Sequence, residues 1–512
     1  MLKNLKLMSV AIIIVLAVSN VGVHARSGDS GFEGGISSGE VEGKTTYDYK
    51  EVVFLTGEPI VFSGTLEIKK TSKQDNDTGK QTIRANYTYR LENNEISATL
   101  TKFLSYNTVL TEKDNGQIIE ETSLDDNYTE VINIDGTRYN LRNYDFTKTN
   151  ITDSKPAVDY LAGNLWGRKT YSIGTDEGTI TIDVTGDFYG YNQYWGSTET
   201  QVLDYIIQGE SLNDDNVDKW GGTARVSLSN SISKQIKYIE NEPETISFEG
   251  GFVQTQYNNS ILQYSSKLPE FDSNGVSTDR LIERSDSLKI EGFPVKTRLL
   301  VPSMNHLKGH WAENDIKALY SLEVFKEDSQ KFNPQDIMTR AEFADAIVLA
   351  AKEVPKDSTL ITSRMGRNTK SKQEEILSPF EDVDVDSKYF ENINSAYKRG
   401  MISGRGNARF SPEDYLTMAD AITIIIRALG LEALAPAGGV ATSFVDDGDI
   451  PSYARNHIYV AQRIGLILGD ERGYLKPREY LTKARAAVVI NKIINYMRDD
   501  LKKDYRERIV NY

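Results

Sequence analysis

The sequence predicts a multidomain chain. Its N-terminal part is mostly antiparallel β, as a sandwich or a meander, and its C-terminal part is all-α and built from three repeats. In residues 47–301, short runs rich in Val, Ile, Thr, Tyr and Phe alternate with turn signals. From residue 302 onward, apolar residues recur at helical spacing and one sequence template occurs three times. The length of 512 residues allows roughly three to five domains.

Composition narrows the classes of function. Apolar residues make up 39% and charged residues 26% of the chain, which is ordinary globular composition. The formal net charge of −15 argues against nucleic acid as a partner, because nucleic-acid-binding proteins present concentrated positive charge. The chain has no cysteine, which excludes disulfides and thiolate metal sites, and it has only four histidines. We therefore predict no metal site and no cofactor.

Residues 1–25 have the pattern of a secretory signal peptide. Lys3 and Lys6 form a positive start, residues 7–18 form an apolar run, and Val23-His24-Ala25 offers small residues for cleavage. The apolar run is shorter than the ~20 residues of a membrane-spanning helix. We therefore predict a secreted chain with no membrane span after cleavage. Residues 26–46 are rich in Gly, Ser and Glu, which predicts a flexible linker.

Residues 47–301 are expected to form a β-rich domain, in one or two subdomains. Asp-Gly pairs between alternating apolar runs, as at Asp135-Gly136, are strong hairpin signals. A helix is predicted near residues 157–166. A cluster of aromatic residues has two interpretations, a sugar-stacking platform or packing between elements: Tyr189, Tyr191, Tyr194 and Trp195. Packing is favoured, because aromatic residues of strands usually pack against their neighbours.

Two groups of acidic residues in the β-rich domain were weighed as functional sites. The first has the side chains of a calcium loop: Asp214, Asp215, Asn216 and Asp218. Lys219 stands where such a loop needs glycine, so a solvated acidic loop is the better interpretation. The second group has the carboxylates that a glycosidase needs: Glu120, Glu121, Asp125 and Asp126. Their separation cannot be read from the sequence, so we assign no catalytic residue.

Three segments of the C-terminal part follow one template. Each has Phe or Leu, one further residue and then Pro; a Thr follows five residues after the Pro, as Thr339, Thr417 and Thr482. The predicted repeats are 302–355, 379–439 and 440–500, with a polar insertion at 356–378 and a charged tail at 501–512. Each repeat is expected to be helix, loop, helix, with the second helix starting at the Thr. Thr339-Arg340-Ala341-Glu342 predicts a capping box, in which Thr and Glu side chains each bond the other's backbone N–H.

These repeats resemble S-layer homology domains. The matching motifs are His310-Trp311-Ala312-Glu313, Phe332-Asn333-Pro334, Thr339-Arg340-Ala341-Glu342, Phe380-Glu381-Asp382-Val383, Phe410-Ser411-Pro412, Phe444-Val445-Asp446 and Leu481-Thr482. The resemblance implies a pseudo-threefold arrangement around a central helical bundle. It also implies grooves that hold an anionic secondary cell wall polysaccharide, often with a pyruvate ketal, linked to peptidoglycan. The expected location is the cell wall or surface layer, and other surface-layer proteins are further candidate partners.

The resemblance also implies that the cation after the capping Thr and the aspartate near the repeat start line the grooves, which here are Arg340, Lys483, Asp382 and Asp446. Trp311 is a further polysaccharide-binding candidate, because an aromatic ring can flank a sugar face. A cation at the start of a helix is unfavourable by ~0.3–1 kcal/mol, and a sugar carboxylate at the free N–H groups would remove that conflict. Three alternatives stay open. Arg340 can pair with Glu342 or Asp336, Trp311 can fill a core, and the aspartates can cap the first helix of their repeat.

The copies depart from the family pattern at three positions. Copy one has His306 in the place of the aspartate, copy two has Met418 in the place of the cation, and copy three has Arg485 in the place of the acid. We therefore expect one or two working grooves. The β-rich part is interpreted as a structural, adhesive or scaffolding module. The alternative is a surface-tethered enzyme acting on polysaccharide, or a carbohydrate-binding module.

Overall fold

A computed structural model of the protein describes residues 34–38, 45–74, 80–113, 116–175, 177–213, 216–240, 250–272, 275–352 and 378–510. Its N-terminal part, called the β module below, is one sheet of 15 strands within these ranges. The strands are β1 (Ile36–Ser37), β2 (Thr46–Val53), β3 (Ile60–Gln74), β4 (Gln81–Asn93), β5 (Ala98–Glu112), β6 (Gln117–Leu124), β7 (Thr129–Ile134), β8 (Thr137–Ser154), β9 (Asp159–Ile173), β10 (Gly178–Gln193), β11 (Gly196–Asn213), β12 (Asn216–Ile239), β13 (Gly251–Phe271), β14 (Ser277–Glu291) and β15 (Val295–Leu299).

The sheet is antiparallel, as predicted, and it is a meander, one of the two predicted arrangements. Strands that follow each other in sequence are neighbours in space, except that the short β7 pairs with β5 and β8, and β15 pairs with β13. The turn between β7 and β8 is the predicted hairpin: Asp135 and Gly136 have φ angles of 47° and 81°. Positive φ at both central residues is what a two-residue turn between twisted strands requires.

The sheet curls until its first strands lie beside its last. Lys50 on β2 donates from Nζ to the carbonyl oxygen of Lys289 on β14 at 3.4 Å, and Arg284 on β14 pairs with Glu58 at 2.6 Å. The concave face is filled by a single apolar cluster whose largest members are aromatic: Tyr49, Phe62, Tyr87, Tyr89 and Tyr106. Alternating burial along the strands, as in β4, places one face on this core and the other toward solvent.

Two lysine–glutamate pairs lie within this core. Lys102 donates to Glu51 at 2.6 Å, and Lys169 donates to Glu130 at 2.8 Å. The hydroxyl of Tyr171 donates to the second oxygen of Glu130 at 3.0 Å. Each buried charge therefore has an opposite charge beside it, as burial in a medium of low dielectric constant requires.

Several predictions for this part need correction or lie outside the described residues. The helix near 157–166 was wrong, because residues 159–173 form β9 and the apolar residues at its start pack on the helical part. The predicted linker 26–46 contains β1, where Ile36 is fully buried. The signal peptide at 1–25 and the insertion at 356–378, apart from Ser378, lie outside the described residues.

The C-terminal part contains two helices in each repeat. They are α1 (Glu313–Ser321) and α2 (Arg340–Ala351), α3 (Phe390–Lys398) and α4 (Met418–Leu429), and α5 (Arg455–Arg463) and α6 (Lys483–Asn495). A π-helical turn (Tyr496–Asp500) joins α6 to α7 (Leu501–Val510). Short 3₁₀ turns lie at Asn305–Leu307, Ser329–Lys331, Glu432–Leu434, Asp447–Asp449 and Ser452–Ala454. Among the described residues, no helix combines the length and apolarity needed to cross a membrane.

A closed ring of backbone hydrogen bonds relates the three repeats. Met338 donates its N–H to Leu481 at 2.8 Å, Leu481 donates to Leu416 at 2.8 Å, and Leu416 donates back to Met338 at 3.1 Å. Each of these residues directly precedes the capping Thr of its repeat. The three units are therefore arranged with pseudo-threefold symmetry around α2, α4 and α6.

The β module covers the opposite ends of these central helices. The last carbonyl groups of a helix have no partner within it and need an external donor. Four donors of the β module meet carbonyl oxygens there: Trp195 Nε1 to Ala350 at 2.9 Å, Ala157 N to Ala428 at 2.9 Å, Tyr160 Oη to Leu429 at 2.9 Å, and Gln193 Nε2 to Met497 at 2.8 Å.

The aromatic cluster at residues 189–195 belongs to this junction. Trp195 is fully buried, and the ring of Tyr191 lies 5.0 Å from that of Tyr505 on α7. These aromatic residues therefore pack between elements, which was the favoured interpretation. The predicted charged tail is helical over residues 501–510, because Leu501 and Tyr505 are buried against the rest of the molecule.

Candidate functional site

The second helix of each repeat begins with the predicted cap. Thr339 accepts from the N–H of Glu342 at 3.2 Å, and the Glu342 carboxylate accepts from the N–H of Thr339 at 2.9 Å. Thr417 and Asp420 form the same box at the start of α4. At the start of α6, Thr482 caps the N–H of Arg485, which has no acid to complete the box. Local spacing alone therefore predicted these helix starts.

The N–H groups at these helix starts are occupied. The N–H groups of Arg340 and Ala341 donate to the carbonyl oxygens of Asp414 and Pro412 at 2.9 and 3.0 Å. The same two bonds occur in the other repeats: Met418 to Glu479, Ala419 to Pro477, Lys483 to Asp336, and Ala484 to Pro334. The expectation that free N–H groups form an anion site is therefore wrong. Any anion bound here must be held by side chains.

Arg340 is buried, and its guanidinium bonds to backbone carbonyls of the second repeat. Its Nε donates to Phe410 at 3.1 Å and its Nη2 donates to Ser403 at 3.3 Å. The guanidinium carbon lies 4.8 Å from the centre of the Phe410 ring, a cation–π contact. Within the described part of the chain it has no ion pair, with neither Glu342 nor Asp336. Burial, reinforced by the charge of Arg405, lowers the pKa of Arg340 below its ordinary value.

Two further arginines lie around the same point. Arg427 donates from Nη1 to the Ser403 hydroxyl at 3.3 Å, and Arg405 pairs with Asp414 at 3.4 Å. We call Arg340, Ser403, Arg405 and Arg427 the Arg340 cluster. Arg405 and Arg427 were not among the predicted site residues, because their approach to Arg340 depends on tertiary contacts. Repeat spacing gave no signal for them.

Tyr453 lies near the Arg340 cluster. Its hydroxyl donates to Asp420 at 2.9 Å. Burial, together with the charge of Asp420, raises the pKa of Tyr453 to about 12. The hydroxyl therefore stays protonated at neutral pH and remains bonded to the acid that caps α4.

Lys483 occupies the equivalent place in the third repeat but has internal counter-ions. Its Nζ lies 3.0 and 2.9 Å from the two carboxylate oxygens of Glu327, and 3.3 Å from Glu342. Burial opposes the charged form of this amine, but the two carboxylates outweigh burial and raise the pKa of Lys483. The positive charge is thus neutralised within the protein.

In the first and third repeats, the cation after the capping Thr lies over an aromatic ring of another repeat. Arg340 lies over Phe410, and Lys483 Nζ lies 5.9 Å from the centre of the Phe332 ring. Phe410, Phe332 and Leu475 hold equivalent positions before the Pro of their loops. Met418, the third member, is buried in the same apolar cluster as Leu475. The two cations therefore lie over aromatic rings, whereas the methionine of the second repeat is part of the apolar core.

Asp382 and Asp446 hold the loops that carry these rings. Asp382 accepts from the N–H groups of Phe410 and Ser411, both at 2.8 Å, and Asp446 accepts from Leu475 and Lys476 at 2.9 and 2.7 Å. They do not cap a helix, which was the alternative. Burial acts to raise the pKa of Asp382, but these backbone hydrogen bonds outweigh it and the pKa is lowered.

The loop that each aspartate holds is locally strained. Ser411 and Lys476 have φ angles of 58° and 60°, a left-handed conformation that side chains other than glycine disfavour. In the first repeat, His306 takes the place of the aspartate and bonds through Nε2 to the carbonyl oxygen of Phe332 at 3.0 Å. The predicted equivalence of His306 with the aspartates is therefore correct in position, although its chemistry differs.

Trp311 lies outside the apolar core, with 64% of its surface exposed and its ring 5.5 Å from that of His310. It stands five residues before Ile316, as Tyr453 stands five before Ile458. Tyr453 bonds to the third residue of α4, and the pseudosymmetric partner of Trp311 is the third residue of α6, Arg485. The pseudosymmetry of the three repeats therefore places Trp311 beside the start of α6 and near Met418. This position is away from Arg340.

The acidic residues of the β module that the structure describes lie apart from one another. Asp218 accepts from the N–H and hydroxyl of Ser277 at 2.8 and 2.7 Å, and Asp214 and Asp215 lie outside the described residues. Glu120 and Glu121 are adjacent on β6, so their side chains point to opposite faces. Asp125 pairs with Arg84 at 2.5 Å. Over the described ranges, no group of three or more acidic or histidine side chains could hold a metal ion.

A sheet module seated on a ring of three helix–loop–helix units defines a two-part protein with a repeat-built helical region. Comparison with protein families agrees. The model of the S-layer homology domain matches residues 303–344 and 379–422. The chain therefore contains S-layer homology domains, which are found in cell-surface and surface-layer proteins.

Similar proteins include enzymes and surface-layer proteins. "Exoglucanase XynX" of Acetivibrio thermocellus is 26% identical over 385 residues, which is 65% of this chain and 33% of that protein. "Amylopullulanase" of Thermoanaerobacterium thermosulfurigenes is 30% identical over 192 residues, 37% of this chain and 9% of that protein. "Surface-layer 125 kDa protein" of Lysinibacillus sphaericus is 25% identical over 205 residues, 39% of this chain and 15% of that protein. The chain thus spans about a third or less of these relatives.

Proposed function

We propose that the repeats anchor this protein to an anionic secondary cell wall polysaccharide bearing a pyruvate ketal, and that the Arg340 cluster is the binding site. The observation that carries this proposal is a buried guanidinium without a counter-ion. Arg340 is 7% exposed, and it bonds to carbonyl oxygens rather than to a carboxylate. Asp414 and Asp420 act on the charge of Arg340 without forming an ion pair with it. A buried cation without a direct counter-ion is costly, and a ketal carboxylate in contact with the guanidinium would supply one.

The geometry of Arg340 suits such a ligand. Nε and Nη2 are used internally, whereas Nη1 has no hydrogen-bond partner among the described residues. Arg405 and Arg427 lie nearby, where each pairs with one acid, Asp414 and Glu432, at 3.4 and 4.0 Å. The planar guanidinium group of Arg340 matches a carboxylate well. Lys483 is a weaker candidate because Glu327 and Glu342 already neutralise it. We therefore expect one dominant anionic site on the ring.

The other predicted residues have supporting roles in this proposal. Asp382 fixes the loop that holds Phe410 beneath Arg340, and Asp446 fixes the corresponding loop of the third repeat. Trp311 offers an exposed ring on which a sugar of the same polymer can stack, at a separate point of the ring of repeats. Simultaneous binding at Trp311 and at the Arg340 cluster would strengthen attachment to a repeating polymer, even without additional contacts at the Arg340 cluster.

We propose a structural, adhesive or scaffolding role for the β module, presented at the surface beside other surface-layer proteins. A second candidate, an enzyme acting on polysaccharide, is favoured by one observation. The helical part is about two fifths of the chain, so an alignment over 65% of it with an exoglucanase extends into the β module. Against this, the concave face is filled, and the carboxylates of its lysine pairs are already neutralised.

Sedimentation with cell walls tests the anchoring proposal. The full chain should be used, because the β module caps the ends of the central helices. We expect it to sediment with purified walls, and to remain in solution with walls treated with mild acid, which hydrolyses ketals. Equal sedimentation with both would contradict the role of the ketal. Equal sedimentation with walls stripped of all secondary polymer would contradict the proposal as a whole.

A further inference from the structure

The β module has a cavity at the end opposite the helices. Strands β9 to β11 run between the junction with the helical part and this far end, and β9 alone has 15 residues. At ~3.3 Å per residue, the far end is roughly 50 Å from the junction. A cavity of about 380 Å³ opens there. That volume lies within the range of about 300–1,000 Å³ typical of small-molecule sites.

The lining combines aromatic rings with hydroxyl groups: Thr56, Thr137, Tyr139, Ser211, Trp220 and Phe271. Trp220 and Phe271 meet edge to face, with ring centres 5.5 Å apart and planes at 85°. Gly57, at a φ angle of 67°, lies against Phe271, and a side chain there would collide with the ring. The position of this aromatic pair is therefore fixed by its surroundings.

Two donors in the lining have no partner among the described residues. The ring of Tyr139 is largely buried, and its hydroxyl makes no hydrogen bond to any described residue. The indole N–H of the half-buried Trp220 is likewise without a partner in the described part of the chain. Both groups line the cavity and can therefore donate to a ligand that enters it.

The charge of the cavity limits the class of ligand. Among the described residues that line it, Glu177 is the one charged side chain. Burial, with the charge of Glu177, raises the pKa of Tyr139 to about 12, so its hydroxyl is a donor at neutral pH. An acidic ligand would meet repulsion here. A neutral molecule that carries hydroxyl groups can donate to Glu177 and accept from Tyr139.

We propose that this cavity binds a neutral pyranose of a glycan chain, with the sugar face on Trp220 or Phe271 and its hydroxyls bonded to Tyr139 and Glu177. An aromatic ring suits the apolar face of a pyranose, and the polar groups suit its rim. A second cavity of about 700 Å³ adjoins the first and shares Thr56, Thr137, Tyr139 and Phe271 with it. The site can therefore accept further sugars of the same chain. It is separate from the Arg340 cluster and does not depend on it.

Calorimetric titration of the full chain tests this site. The probes are tetrasaccharides of β-1,4-glucan, α-1,4-glucan, xylan, mannan and chitin, with tetragalacturonate as the acidic comparison. We expect at least one neutral probe to bind more tightly than tetragalacturonate. We expect Tyr139→Phe, which removes only the hydroxyl, to weaken that binding about tenfold or more. Trp220→Ala should weaken it at least as much.

Matched controls distinguish the site from general effects. Trp166→Ala and Tyr238→Phe change the same residue types at exposed positions of β9 and β12, outside the cavity, and should leave the affinity unchanged. Arg340→Ala should also leave it unchanged, which separates this site from wall anchoring. Binding of none of the neutral probes, tighter binding of tetragalacturonate, or an affinity unchanged in Tyr139→Phe and Trp220→Ala would overturn the proposal.

Discussion

The indole N–H of Trp195 donates to the carbonyl oxygen of Ala350 at 2.9 Å, which ties the β module to the end of α2. Trp195 is fully buried, and its own backbone N–H is held by the side chain of Gln193 at 2.7 Å. The bond supplies a donor to one of the carbonyl groups that the end of a helix leaves unpaired. The two parts of the chain are therefore expected to unfold together.

Replacing Trp195 with Phe should destabilise the protein. The change removes the donor and leaves the Ala350 carbonyl buried without a partner, which costs about 1–3 kcal/mol. Thermal unfolding followed by circular dichroism should show a lower Tm. Trp166→Phe, at a position 41% exposed on β9, is the control and should change stability by less than about 0.5 kcal/mol. Equal Tm values for the two variants would contradict the role given to the junction.

Replacing Asp382 with Asn should destabilise the second repeat. Asn keeps one acceptor oxygen, but its NH₂ group faces the N–H of Phe410 or Ser411, so one of these donors loses its partner. The expected loss is about 1–3 kcal/mol in urea denaturation at pH 7. A variant as stable as the wild type would show that the loop does not depend on this carboxylate.

The same carboxylate should contribute to loss of stability in acid. The pKa of Asp382 is lower in the folded protein than its ordinary value, so its contribution is present above about pH 4, the unfolded pKa. It is lost as the pH falls from there through the folded pKa. The stability difference between wild type and Asp382→Asn should therefore shrink below about pH 4. A difference independent of pH would contradict this linkage.

Replacing Lys234 with Met should stabilise the junction at neutral pH. Lys234 Nζ lies 3.5 Å from the centre of the Tyr194 ring, and burial, with the charge of Lys352, lowers the pKa of Lys234 to about 8. At pH 7 the charged amine of Lys234 therefore lowers the free energy of unfolding. This loss of stability is complete below the pKa of Lys234 in the folded protein. It disappears as the pH rises toward the pKa of about 10.4 that lysine has in the unfolded chain.

The pH dependence distinguishes this effect from a simple packing gain. The Tm advantage of Lys234→Met over wild type should be largest at pH 7 and should shrink steadily between about pH 8 and pH 10. Paired measurements at each pH cancel the titration of other groups. An advantage of the same size at pH 7 and pH 10, or a destabilised variant at pH 7, would contradict the account.

The features that the sequence predicted correctly depend on short-range spacing or on repeated motifs. The capping box of Thr339 and Glu342 depends on residues three apart, and the meander follows from alternation and turn residues, so both were predicted. The helix near 157–166 was wrong because the burial of Val158 and Tyr160 against α4 comes from tertiary packing. That packing overrides local preference and leaves no periodic signal.

The chemistry of the candidate site depends on distant residues and was predicted only in part. Arg340 was identified by its place after the capping Thr, but its partners Ser403 and Phe410 are 63 and 70 residues away. The N–H groups expected to hold an anion are used by Asp414 and Pro412 of the next repeat. Lys483 is neutralised by Glu327, 156 residues away. One sequence without its fold cannot rank these two cations as binding sites.

Comparison of Arg340→Ala with Lys483→Met in wall binding tests the central claim most directly. Both variants remove a buried cation after a capping Thr, and circular dichroism confirms in each case that the repeats are folded. We predict that Arg340→Ala lowers the affinity for purified walls about tenfold or more, whereas Lys483→Met changes it less than about twofold. Equal losses, or a larger loss in Lys483→Met, would contradict the assignment of the anionic site to the Arg340 cluster.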